Sequence, residues 1–88
     1  MYDVVIAEHA LKHGLDPDDI EYAWFNYCAR RYRGAPNEGE VVAVGYDRAG
    51  RMIELVAALR PFGTVIFHAM RPPTRKVLAE LDLLGGKK

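Results

Sequence analysis

Residues 41–70 read VVAVGYDRAGRMIELVAALRPFGTVIFHAM, and they carry the clearest fold signal in the sequence. It holds three apolar runs that are rich in β-branched residues, a composition typical of β-strands. The runs are 41–46, 52–59 and 64–70. Two short segments with turn-forming residues separate them, Asp47 to Gly50 and Pro61 to Gly63. The stretch therefore predicts an antiparallel meander.

Two helices are expected before the meander. In residues 4–13 the apolar positions recur at helical spacing, and Gly14 suits the left-handed position that ends a helix. Asp16 then has the character of an N-cap, with Pro17 at the first helical position. The core-facing positions of this second helix follow at i, i+3, i+4 and i+7: Ile20, Ala23, Trp24 and Tyr27.

The remaining segments complete a single domain over residues 1–88. Arg30 to Arg33 form a short edge strand, and a glycine- and proline-rich turn follows it. Pro72 and Pro73 end the last strand, and Thr74 is the N-cap of a final helix that ends at Gly85. The predicted order is ααββββα. It predicts an α+β fold, an antiparallel sheet of three to four strands with helices on one face.

The composition limits the classes of protein to which the chain can belong. The 88 residues include 12 basic and 12 acidic side chains, so the formal net charge is zero. Neutrality gives no case for a polyanion binder, although Arg30, Arg31 and Arg33 form one basic cluster and 71–76 holds another. No apolar run is long enough to span a bilayer and no signal-like segment is seen, so we expect a cytoplasmic protein without membrane contact. The lone Cys28 is expected to be a small buried side chain.

Two polar residues interrupt the apolar strands of the meander. Strict alternation places Met52, Glu54 and Val56 on one face of their strand. In the last strand the same alternation places Ile66 and His68 on one face and their chain neighbours on the other. A titratable side chain in a central strand needs a partner or solvent, so Glu54 could orient or deprotonate His68. The alternative is a solvent-facing cross-strand pair.

The first predicted helix carries a second polar group. His9, Lys12 and His13 share one helical face. Lys12 and His13 are candidates for contacting phosphate or moving a proton, and the alternative is that His13 binds the carbonyls at the helix end. The histidine pair lacks a third ligand at recognisable spacing, so we expect no metal site.

Arginines supply the candidate anion site. Arg71 and Arg75 flank the start of the final helix, where free backbone N–H groups and guanidinium groups together could bind phosphate. Arg51 follows Gly50 in the hairpin and could serve similarly or brace the turn. Surface solvation is the alternative for each of them.

Three segments of the chain resemble BrnT-type toxins, which belong to the RelE-like ribonuclease superfamily. They are HALKHGL at 9–15, VGYDRAGRMIELV at 44–56 and VIFHAMRPPTR at 65–75. Each segment is a weak signal alone, but their order and spacing make the combination more specific.

The resemblance implies a RelE-like fold and the toxin of a type II toxin-antitoxin system. Such a toxin would cleave mRNA without a metal or other cofactor and would be neutralised by a partner antitoxin. His68, Glu54 and Arg71 would then be catalytic, with Arg71 as the transition-state cation, while Lys12, His13, Arg51 and Arg75 would bind RNA. The alternative is an inert binding or homo-oligomerisation module, which the neutral charge favours. A homodimer is compatible with either function.

Overall fold

The structure is a computed structural model that describes residues 3–84. Within that range five strands and two α-helices form an α+β fold. The elements are β1 (Asp3–Ile6), a 3₁₀ helix (Glu8–Leu11), α1 (Pro17–Phe25), β2 (Tyr27–Tyr32), β3 (Glu40–Tyr46), β4 (Met52–Arg60), β5 (Gly63–Met70) and α2 (Arg75–Glu80). The strands make one sheet in the order β1-β5-β4-β3-β2.

The predicted meander is confirmed. β2, β3, β4 and β5 pair antiparallel in sequence order. The turn between β3 and β4 closes through two backbone hydrogen bonds, from Asp47 N–H to Arg51 and from Gly50 N–H to Asp47. Gly50 has φ of 82°, a conformation that favours glycine. These local signals were sufficient to predict the pairing of β3 with β4.

The prediction of a helix over residues 4–13 is wrong. Asp3–Ile6 is a strand that pairs parallel with β5, and only Glu8–Leu11 forms a short 3₁₀ helix. The sheet therefore has five strands and is mixed, whereas three to four antiparallel strands were expected. The physical reason is tertiary, because Val4, Val5 and Ile6 suit a strand once the edge of β5 is available. Gly14 does adopt the expected left-handed conformation, with φ of 80°.

Helix α1 begins as predicted. The Asp16 side chain accepts a hydrogen bond from Asp18 N–H at 2.8 Å, and Pro17 is the first helical residue. Ile20, Ala23 and Trp24 are buried in the first core cluster, against alternate residues of the sheet. The prediction for Tyr27 is wrong, because the helix ends at Phe25 and Tyr27 opens β2 with an exposed ring.

Helix α2 covers the other face of the sheet. Its Val77 and the following Leu81 pack against Val42, Val44 and Val56 in a second core cluster. The two helices therefore lie on opposite faces, not on one face as expected. We call these the α1 face and the α2 face. Thr74 is the N-cap of α2, as predicted, and its hydroxyl accepts a hydrogen bond from Val77 N–H.

Three further expectations have different outcomes. Cys28 is exposed in β2 rather than buried. The predicted helix end at Gly85 lies outside the described residues. Across residues 3–84, neither helix combines the length and the apolar character that crossing a membrane requires.

Candidate functional site

Glu54 and His68 meet on the α2 face. The His68 Nε2 atom lies 2.7 Å from Glu54 Oε2, a hydrogen-bonding distance. The Glu54 side chain is only 4% exposed, whereas that of His68 is 25% exposed. The structure thus brings together the two residues that the strand pattern singled out. It also favours a buried carboxylate that holds a partly accessible imidazole over a fully solvated pair.

A bulge in β5 positions His68. Val56 pairs with His68 and Ala57 pairs with Ile66, so Phe67 is the extra residue between them. Phe67 packs in the α2-face cluster, and His68 reaches Glu54 on that same face. The predicted alternation, which placed Ile66 and His68 together, is therefore wrong, because Ile66 belongs to the α1-face core. Such a bulge leaves one residue without a partner on the neighbouring strand and reverses the faces on which the following side chains lie.

Thr74 holds the other oxygen of the same carboxylate. Its backbone N–H donates to Glu54 Oε1 at 2.6 Å, and its hydroxyl donates to that oxygen at 2.9 Å. Both oxygens of Glu54 therefore have hydrogen-bonding partners, as a buried carboxylate requires. Sequence reasoning identified Thr74 as a helix cap but missed its part in the site, because that contact joins residues 20 positions apart.

A second imidazole lies beside His68. The ring of His13 meets the ring of His68 edge to face, with centroids 5.8 Å apart and planes at 81°. His13 lies in the turn after the 3₁₀ helix, and that helix contacts β5. The prediction that His9, Lys12 and His13 share one face of an α-helix is wrong, because Glu8–Leu11 is a 3₁₀ helix and Lys12 and His13 lie in the turn after it. The structure nevertheless brings His13 of that segment against His68.

An open cavity of about 380 Å³ adjoins the Glu54–His68 pair. Its lining combines apolar strand residues with a small set of polar ones. The polar residues are His9, Arg33, Glu54, His68, Thr74 and Lys76. Lys76 and Arg33 were noted only as members of basic clusters, and the topology brings them to one cavity. A concave surface with a few convergent polar groups is the usual form of a small-ligand or substrate site.

Arg71 and Arg51 meet elsewhere, at the buried Asp47. Their guanidinium groups lie 3.3 Å and 3.2 Å from Asp47 Oδ2. The other oxygen, Oδ1, accepts hydrogen bonds from the backbone N–H groups of Ala49 and Arg51. The Arg51 N–H bond is the main reason that the pKa of Asp47 lies below its ordinary value. Both arginines therefore brace the β3–β4 turn.

The last two predicted binding residues are exposed. Lys12 is the C-cap residue that follows the 3₁₀ helix, and it directly precedes His13. Arg75 is the first residue of α2. Neither forms an ion pair with another described residue. Both are free to contact solvent or an anion, and neither is among the residues that line the cavity beside His68.

The site and the fold together define a small α+β protein with a histidine-carboxylate pair at an open cavity. No protein-family model, curated protein or solved structure matches the chain. Among residues 3–84 there is no group of three or more histidine, cysteine, aspartate or glutamate side chains placed to hold a metal ion.

Proposed function

We propose that the chain is a ribonuclease that cleaves RNA by acid-base catalysis without a metal, with His68 at its centre. The hydrogen bond between Glu54 and His68, beside an open cavity, carries the proposal. A buried carboxylate that orients a partly exposed imidazole is a common way to prepare a general base. The resemblance of three segments to BrnT-type toxins supports RNA as the substrate.

The carboxylate assigns the tautomer of His68. An ionised carboxylate only accepts hydrogen bonds, so Nε2 carries the proton when the ring is neutral. The unprotonated atom is then Nδ1, which can take a proton from a substrate hydroxyl. Glu54 acts through His68 and is a positioning residue, and Thr74 positions Glu54 in turn.

Cleavage needs a base, an acid and a cation. His68 takes the proton from the ribose 2′-hydroxyl, whose oxygen attacks phosphorus while the bond to the 5′-oxygen breaks. His13 is the candidate acid for that leaving oxygen, because its ring touches that of His68. Lys76 lines the cavity and would stabilise the charged transition state. Arg71 was the candidate from resemblance, but it shares Asp47 with Arg51, so we assign that role to Lys76.

The biological setting follows from the resemblance. The chain would be the toxin of a type II toxin-antitoxin system, acting in the cytoplasm on mRNA and neutralised by a cognate antitoxin. Lys12 and Arg75 would contribute to RNA binding as exposed cations near the site.

The test is cleavage of a defined mRNA fragment in EDTA by purified protein. We expect His68→Ala to lose about 100-fold or more in rate and His13→Ala to lose a comparable factor, as for removal of a general base or acid. Glu54→Gln should lose a comparable factor, because Thr74 holds the glutamine oxygen and the amide N–H would then donate to His68 Nε2, which leaves the proton of the neutral ring on Nδ1. Arg60→Ala is the matched surface control, because Arg60 is exposed at the end of β4 and does not line the cavity. Wild-type protein that leaves mRNA intact, with and without ribosomes, would refute the proposal.

A second candidate is an inert binding or homo-oligomerisation module. The observation that favours it is the edge strand β2, which pairs only with β3 among the described strands. Tyr27 and Tyr32 on that strand are 43% and 67% exposed. Exposed edges and aromatic side chains commonly pair with another chain. Sedimentation equilibrium distinguishes the two functions, since an inert module should be a stable oligomer that leaves RNA intact.

A further inference from the structure

A cavity of about 260 Å³ lies on the α1 face of the sheet, away from His68. Most of its lining is aliphatic or aromatic: Val4, Trp24, Phe25, Tyr32, Val41 and Leu59. The two polar lining residues are Arg30 and Thr64, and none of the described lining residues is acidic. We call this space the α1 cavity. It combines an apolar interior with one hydroxyl and one positive charge, and it shares no residue with the proposed cleavage site.

The strand register explains why these side chains meet. Thr64 pairs with Leu59, and Tyr32 pairs with Val41. Paired residues of neighbouring strands lie on the same face, and Leu59 and Val41 both pack in the α1-face core. Arg30 is two positions before Tyr32 on β2 and therefore shares its face. The α1 cavity thus extends across the sheet from β5 to β2.

Thr64 presents a hydroxyl to the α1 cavity. The residue is only 3% exposed, yet this hydroxyl forms no hydrogen bond with another residue of the range 3–84. Within that range no fully enclosed polar side-chain atom lacks a partner, so the Thr64 oxygen must reach the open space of the cavity. A buried hydroxyl without a protein partner is satisfied by water or by a ligand atom. The cavity floor therefore favours an occupant that has a polar group at this end.

Arg30 supplies the charge. Its guanidinium carbon lies 4.4 Å from the centre of the Tyr27 ring and 5.6 Å from that of Trp24. A guanidinium that stacks through its face keeps its in-plane N–H groups free to donate. Arg30 forms no ion pair with another described residue, and none of the side-chain hydrogen bonds of that range involves it. A planar carboxylate is the anion that such a group binds best.

We propose that the α1 cavity binds a small aromatic carboxylic acid, with its carboxylate on Arg30, its ring beside Trp24 and a ring hydroxyl on Thr64. An apolar cavity of about 150 Å³ holds benzene, so the larger volume here has room for one ring and a short chain. Arg30 on β2 and Thr64 on β5 are three strand spacings apart, about 14 Å at roughly 4.8 Å per strand. The long Arg30 side chain covers part of this distance, and a spacer between the ring and the carboxylate covers the rest.

The experiment uses para-hydroxyphenylpropanoate, which has one ring, a ring hydroxyl and a carboxylate on a short chain. Trp24 is the single tryptophan of the chain and lines the cavity, so its fluorescence reports occupancy, while isothermal titration calorimetry gives the Kd. We expect a Kd of about 1 mM or tighter for a ligand of this size. The matching amide lacks the charge and should bind wild-type protein about ten-fold more weakly.

Two variants test the two polar contacts. Arg30→Ala should raise the Kd of the acid about ten-fold or more and remove its advantage over the amide. Arg31→Ala is the matched control, because Arg31 is the next residue of the same strand and pairs with Val42 on the α2 face. Thr64→Val should raise the Kd of the hydroxylated acid about three- to ten-fold and leave that of phenylpropanoate, which has no ring hydroxyl, unchanged.

The proposed site is refuted if wild-type protein does not bind the acid, or if it binds the acid and the amide equally. The comparison of acid with amide needs no variant, so it does not depend on how a substitution folds. Equal losses in Arg30→Ala and Arg31→Ala would likewise overturn the site, and equal losses of both acids in Thr64→Val would overturn the contact with Thr64. RNA cleavage is measured without any of these ligands, so the ribonuclease and the α1 cavity stand or fall separately.

Discussion

Replacing Thr74 with valine removes one hydroxyl group from the junction of α2 and the candidate site. That hydroxyl donates a hydrogen bond to Glu54 at 2.9 Å and accepts one from Val77 N–H at 3.3 Å. Loss of an N-cap costs about 1 kcal/mol. Loss of a hydrogen bond to a buried charged group costs about 1.5–3 kcal/mol. Because one atom makes both contacts, we expect a combined loss of about 2–3 kcal/mol rather than the full sum.

The assay is urea denaturation at pH 7, followed by circular dichroism, with Thr74→Ser as the matched control. Serine keeps the hydroxyl, so its free energy of unfolding should stay within about 1 kcal/mol of wild type. For a domain of this size the valine variant should also melt roughly 10–20 °C lower. If the valine and serine variants are equally stable, the hydroxyl does not link α2 to Glu54 and Thr74 is not a positioning residue.

Two other predictions concern stability. Gly45→Ala should cost about 1–3 kcal/mol in urea denaturation, because an added Cβ would overlap the carbonyl group of Ala23 in α1, whereas Gly34→Ala, with open space around it, should change little. Asp47 has a folded-state pKa below its unfolded value of about 3.8, so its stabilisation is complete above that value and is lost as pH falls through the folded pKa. Unfolding measured from pH 6 to pH 2 should show a shallower loss of stability in Asp47→Asn; an unchanged slope would contradict this.

Local signals in the sequence were enough for the meander and for the helix starts. The Asp16–Pro17 start, the turn at Asp47 to Gly50 and the cap at Thr74 each depend on contacts within a few residues. Apolar alternation also placed Glu54 correctly on its strand, because β4 has no irregularity before Ala57. The singling out of Glu54 and His68 as polar interruptions needed no knowledge of the fold.

Other features depended on contacts between distant segments. Residues 3–6 form a strand because the edge of β5 is open to them, and no local pattern encodes that partner. The bulge at Phe67 determines the face of His68, although period-2 alternation predicts the opposite grouping with Ile66.

Local patterns therefore predicted the strands of the meander, the starts of α1 and α2, and the polar groups that interrupt the apolar pattern, but not strand β1. Tertiary structure alone decided which of those groups meet. Glu54 reaches Thr74 across 20 positions, Arg33 reaches Glu80 across 47, and Arg71 turns to Asp47 rather than to the cavity. The physical reason is that caps and turns are satisfied within one or two turns of chain, whereas a buried charge takes whichever partner the packed sheet and helices bring within reach.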